Sequence, residues 1–162
     1  MMKNKTILAL FAIFLIACSV SAVQAEQGSL GNIKFNVPDD YKISESNDTT
    51  VIMKNDQKQI IVSTVLTDSD SLNNYMEGQG FKYDNTMSGN MTVSGNDLNG
   101  KFSFVSLSYT KDKGCGIAYL LNKDGTQVSV IGIDNDADSD SIGSMDIESD
   151  VKEVAQEVML RK

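Results

Sequence analysis

The chain has 162 residues, with 14 Lys and Arg against 22 Asp and Glu, no His, no Trp, one Pro and two Cys. Without His there is no Ser–His or Cys–His catalytic pair and no His-ligated zinc or haem. A net charge of −8 argues against a nucleic-acid partner, which requires clustered Lys and Arg, and the length fits one domain.

Lys3 and Lys5 form a short basic region, Ile7 to Ala17 is an uninterrupted apolar run, and Val23-Gln24-Ala25 precedes the first acid, Glu26. That layout predicts a signal peptide over residues 1–25 and a mature domain over 26–162, exported to the cell exterior or surface. Loss of Lys3 and Lys5 takes the net charge from −8 to −10. The same residues admit two other readings. Leu15-Ile16-Ala17-Cys18 resembles a bacterial lipobox, with Cys18 as the lipidated residue. Ile7 to Val23 is also long enough for a retained anchor, which needs roughly 17–25 residues. In each case the membrane is met only through this N-terminal segment, and cleavage after Ala25 or lipidation of Cys18 leaves Cys115 without a disulfide partner.

From about Leu30, strand-like runs alternate with polar turns. Ile33, Phe35 and Val37 occupy every second position before Pro38-Asp39-Asp40 ends the run. Val51-Ile52-Met53 forms a second run, Asn55 to Lys58 a turn, and the β-branched stretch Ile60 to Leu66 a central strand. Asp68 to Ser71 supply helix N-caps, and Leu72, Tyr75 and Met76 share one face of a short helix over 70–78. Phe81-Lys82-Tyr83 resumes extended structure. The stretch 84–100, rich in Asn, Asp and Gly, reads as loop, strand, loop around Met91-Thr92-Val93.

Lys101 to Thr110 alternates, but its apolar phase shifts between Phe104 and Val105, which predicts a β-bulge there. Hairpin turns at Lys111 to Gly114 and Asn122 to Gly125 flank a strand whose Cys115, Ile117, Tyr119 and Leu121 share one face. Gln127 to Ile133 completes an antiparallel meander. Ile147, Val151, Val154, Ala155 and Val158 then mark an amphipathic C-terminal helix. Asp146, Glu148 and Asp150 suit the positive end of its dipole.

Three features invite a chemical reading. Asp134, Asp136, Asp138 and Asp140 place carboxylates at alternate positions, as calcium loops do, but neither register supplies the bidentate acid at the twelfth position. A solvated loop leading into the helix is the simpler account. Cys115 has no His to activate it and points, by phase, at the core. The sequons Asn47-Asp48-Thr49 and Asn90-Met91-Thr92 are glycan acceptors where the host glycosylates.

Phe35-Asn36-Val37-Pro38-Asp39-Asp40-Tyr41, placed after an export signal, resembles the first strand end of PsbP-like and DcrB-like exported domains. The order of later elements is similar to theirs over about residues 30–160, and the chain also resembles short exported proteins of methanogenic archaea. The resemblance implies a non-catalytic binding or assembly module and carries over no active-site residues.

The expected fold is α+β: an antiparallel sheet of about six strands, with the short middle helix and the C-terminal helix packed on one face. The expected function is a non-enzymatic exported module, without a cofactor, that binds a protein or envelope partner. A weak Ca²⁺-binding surface protein using the acidic loop, and a carboxylate-based hydrolase, are the alternatives.

Overall fold

A computed structural model describes residues 24–136 and 142–162, with side chains in the last segment from Asp146 onward. The predicted signal peptide and Cys18 therefore lie outside the described residues, apart from Gln24 and Ala25 at its end.

Nine strands and two helices are present among the described residues. They are β1 (Gln27–Leu30), β2 (Ile33–Asn36), β3 (Lys42–Ser46), β4 (Thr50–Asn55), β5 (Lys58–Ser63), α1 (Ser69–Gly78), β6 (Lys82–Ser94), β7 (Asn99–Lys111), β8 (Gly114–Lys123), β9 (Thr126–Asp134) and α2 (Ile142–Leu160). The fold is α+β. Seven strands form one antiparallel sheet in the order β3-β4-β5-β9-β8-β7-β6, and β1-β2 form a separate hairpin.

The order follows from two meanders. Strands β3 to β5 fold back on one another, α1 carries the chain across one face to the far edge, and β6 to β9 return toward the centre. The most apolar runs meet there, with Ile61 opposite Ile131 and Val62 opposite Val130. Tight turns enforce the reversals: Asp124 and Gly125 both have positive φ, and the Asn122 side chain accepts the Gly125 N–H at 2.9 Å.

The two helices cover opposite faces of the sheet, where the sequence pattern suggested one. On the first face, Ile147, Val151, Val154, Ala155 and Val158 of α2 pack with the β1–β2 hairpin and with Ile60, Val62, Tyr119, Leu121, Val128 and Val130. On the second, Leu72 and Met76 of α1 pack with Ile61, Leu107, Tyr109, Ala118, Ile131 and Ile133. Central strands buried on both sides explain why their sequences read as continuous apolar runs.

The same arrangement removes the bulge expected at Phe104 and Val105. Strand β7 pairs with β6 in unbroken register from Asn99 to Ser108. Phe102 and Phe104 face α2, whereas Val105, Leu107 and Tyr109 face α1. The phase shift records a change in which face is covered, not a change in register. A bulge does occur in this pair, but at Tyr83/Asn85 on β6.

Polar ties fix α2 to the sheet. It begins at Ile142, so Asp146, Glu148 and Asp150 lie beyond its first turn; Glu148 and Asp150 bond to tyrosines of the rest of the fold. Tyr41 donates to Asp150 at 2.7 Å, and Tyr119 to Glu148 at 3.4 Å. Glu157 is 8 % exposed, accepts the Asn36 backbone N–H at 2.9 Å and pairs with Arg161. Lys123 Nζ donates to the Met159 carbonyl at 2.6 Å, a cation at the negative end of the helix. Gly132 lets α2 approach closely: a Cβ there would sit 2.3 Å from Val151 Cγ2.

Candidate binding surface

The stretch expected to be loop, strand, loop is one continuous thirteen-residue strand, β6, at the edge of the sheet. Its Asp, Asn and Gly residues weigh against a strand by propensity. Pairing with β7 from Lys82 to Ser94 overrides this, because the ladder supplies partners for the backbone and the polar side chains stand in water. Met91 and Val93 pack against the α2-side core and anchor the distal half.

Among the described residues β7 is the one strand neighbour of β6. The other side of β6 presents backbone N–H and C=O groups outward, the arrangement that accepts an added strand. From Asn85 to Ser94 this edge carries no charge and no Pro. Met87 is 62 % exposed and Tyr83 is 48 % exposed.

A hollow lies on each side of this ribbon. Facing α2 is a groove of about 240 Å³ floored by Met87, Phe104, Ile117 and Tyr119, with Ser106 and Ser108 beside them. Glu148 and Lys152 stand in its lining, paired at 2.8 Å. The Phe104 and Tyr119 rings pack with centroids 4.9 Å apart. Burial, with Glu148 adding, holds the Tyr119 hydroxyl above its ordinary range, so it stays a hydrogen-bond donor. On the α1 side a broader hollow of about 590 Å³ exposes Ser88, Asn90, Ser103, Val105, Leu120 and Asn122.

Tyr109 ties the ribbon to α1, donating to Asn73 at 2.9 Å and meeting Tyr83 edge to face at 6.2 Å. Burial pushes its hydroxyl up to about 12. At the proximal end of the ribbon, Lys82, Lys111 and Lys113 line a third hollow, where Lys111 Nζ lies 4.2 Å from the centroid of the Phe81 ring.

The acidic loop is placed only in part. Asp134 ends β9, is 6 % exposed and accepts the Asp136 backbone N–H at 3.0 Å. Asp136 is exposed; Asp138 and Asp140 lie outside the described residues. Asp134 and Asp136 line a hollow with Asp56 and Lys58. Among the described residues no group of three or more His, Cys, Asp and Glu is placed to hold a metal.

Cys115 is half-buried against the α2-side core. Burial, with Asp134 adding and Lys58 opposing, pushes its thiol up to about 11, away from the thiolate a nucleophile needs. Glu153 on α2 is held above the ordinary carboxyl range by burial and by Asp150, Asp39 and Glu157. Of the two sequons, Asn47 is occupied in the β3–β4 turn, accepting the Thr49 and Thr50 N–H groups at 2.9 and 3.0 Å. Asn90 lies on β6 and accepts from Ser103 at 2.6 Å.

No protein-family model matches the chain, and no curated protein matches it. Among the described residues no helix is long and apolar enough to cross a membrane.

Proposed function

We propose that this chain is an exported, non-catalytic binding module that takes a partner strand at the free edge of β6. The single observation that carries the reading is the combination on one edge of a thirteen-residue strand, an outward backbone ladder and ten successive uncharged residues. Such an edge recognises peptide backbone by hydrogen bonds and side chains by the surfaces above and below the sheet. Met87 and the groove beside it supply an apolar surface on one side; Thr86, Ser88 and Asn90 supply small polar contacts on the other.

The export signal in the sequence supports action outside the cytoplasm, where the partner is a protein or envelope component. A photo-crosslinking side chain placed at Met87 or Ser88 in the producing cell tests the reading. Adducts are expected from these positions and not from the control position Glu45 on β3. Equal labelling from both strands, or none from β6, would overturn it. Intact mass of the native protein tests the export component, with residue 26 expected as the first residue.

A further inference from the structure

We propose that the strand received at the β6 edge is β6 of a second copy of this chain, paired antiparallel about a two-fold axis near Gly89. This rests on the reading of β6 as the binding edge and names its partner.

Charge favours an identical copy at this place. The whole chain carries −8, so two copies repel when their acidic surfaces meet. Asn85 to Ser94 carries no charge, so two copies of this edge meet without like charges opposed. The ends carry mixed charge and do not oppose like with like. Lys82, Lys111 and Lys113 lie with Asp84 and Asp112 at one end of the ribbon, and Asp97 lies with Lys101 at the other. Antiparallel pairing brings the Lys82 end of one copy toward the Asp97 end of the second.

Strand geometry is self-complementary as well. Outward N–H and C=O groups belong to alternate residues of an antiparallel edge, so self-pairing joins positions of like parity, and directly opposed side chains share a face. With the axis at Gly89, Met87 of one copy stands opposite Met91 of the second. Both belong to the α2 face, so the exposed Met87 side chain is covered by apolar surface. Gly89 has no side chain at the axis, and the Phe104 ring fills the space over it: a Cβ there would lie 2.8 Å from Phe104 Cζ. The pairing joins two seven-stranded sheets into one continuous sheet with no free β6 edge.

Sedimentation velocity of the full exported chain over a concentration series, with amide hydrogen exchange, is the test. A concentration-dependent dimer is expected, with alternate β6 amides protected only in the dimer. Ser88→Lys with Asn90→Lys sets like charges beside the axis and is expected to weaken dimerisation by about tenfold or more. Ser88→Glu with Asn90→Glu does the same, and mixing the two variants restores a heterodimer. A chain that is monomeric at every concentration overturns the proposal. So does a dimer indifferent to both variants, or variants that fail to rescue one another while retaining the wild-type melting temperature. Monomeric protein whose β6 crosslinks a different protein in the cell would sink the second copy and leave the binding edge standing. Absence of any β6 adduct would sink both.

Discussion

Strands β3 and β6 close the same sheet at opposite ends, and they treat their free edges differently. Strand β3 has five residues, carries Lys42 and Glu45, and is bent by a register shift between Ile43 and Glu45. Short length, charge and a bulge are the devices by which an edge discourages pairing. Strand β6 has thirteen residues, and past its shift at Tyr83/Asn85 it runs uncharged and in register to its end. The flank beside β3 is also sealed by the β1–β2 hairpin and α2, whose residues enter one core with β4 and β5. The β6 flank is covered only in part: Met91 and Val93 pack on the α2-side core, while Tyr83 and Met87 stay exposed. One chain therefore contains a guarded edge and an available one, and the binding proposed at β6 rests on that difference.

The comparison breaks most severely through the sealed side. Phe35 is fully buried under the hairpin, so Phe35→Ala is expected to cost about 3–5 kcal/mol in urea denaturation. Gly132→Val drives a side chain into Val151 and Ile147 and is expected to cost about 1–3 kcal/mol or more, read as a fall in melting temperature. Glu157→Ala leaves the Asn36 N–H and Arg161 without their acceptor, for a loss of about 1–3 kcal/mol by the same denaturation experiment. On the open side, Met87→Lys removes no buried contact and is expected to change stability by less than about 0.5 kcal/mol while reducing β6 crosslinking. A large destabilisation by Met87→Lys would mean that β6 is not the exposed edge described.

A smaller, pH-dependent effect sharpens the same contrast. Burial raises the Cys115 thiol from 9.0 to about 11 and the Tyr109 hydroxyl from 10.0 to about 12. Both groups stay protonated in the folded chain after they would ionise in the unfolded one. Their contribution to stability is complete below about pH 9 and is lost as pH rises through the folded values. Urea midpoints should hold steady at neutral pH and fall through the alkaline range, and iodoacetamide should label Cys115 slowly at neutral pH. Rapid labelling of the native chain would show that Cys115 is not shielded as described.

Much of the fold could be read from the residues. The hairpin turns, the cap of α1 and the buried face of α2 all follow from local chemistry. Asp68 accepts the Ser71 N–H at 2.8 Å, and every apolar position assigned to the α2 face is buried. The edge proposed for binding was harder to see. Strand β6 is polar, and its ladder pairing is with β7, whose position the residues of β6 do not encode. Only the opposed register, Asn85 with Ser108 through Ser94 with Asn99, turns an Asn-rich segment into a strand. The phase shift at Phe104 and Val105 was visible, but its cause was not, because a bulge and a change of covered face leave the same pattern in one strand.

By itself the sequence determined an α+β chain, acidic, free of His and ending in an amphipathic helix. These properties rest on local periodicity, composition and charge, which each segment carries alone. Tertiary structure decided that the two helices lie on opposite faces, that β9 inserts beside β5, and that β6 ends the sheet with β7 as its one strand neighbour among the described residues. Those outcomes depend on which apolar faces find one another across the chain. An edge is defined by the absence of a neighbour, a relation between strands that no single strand can specify.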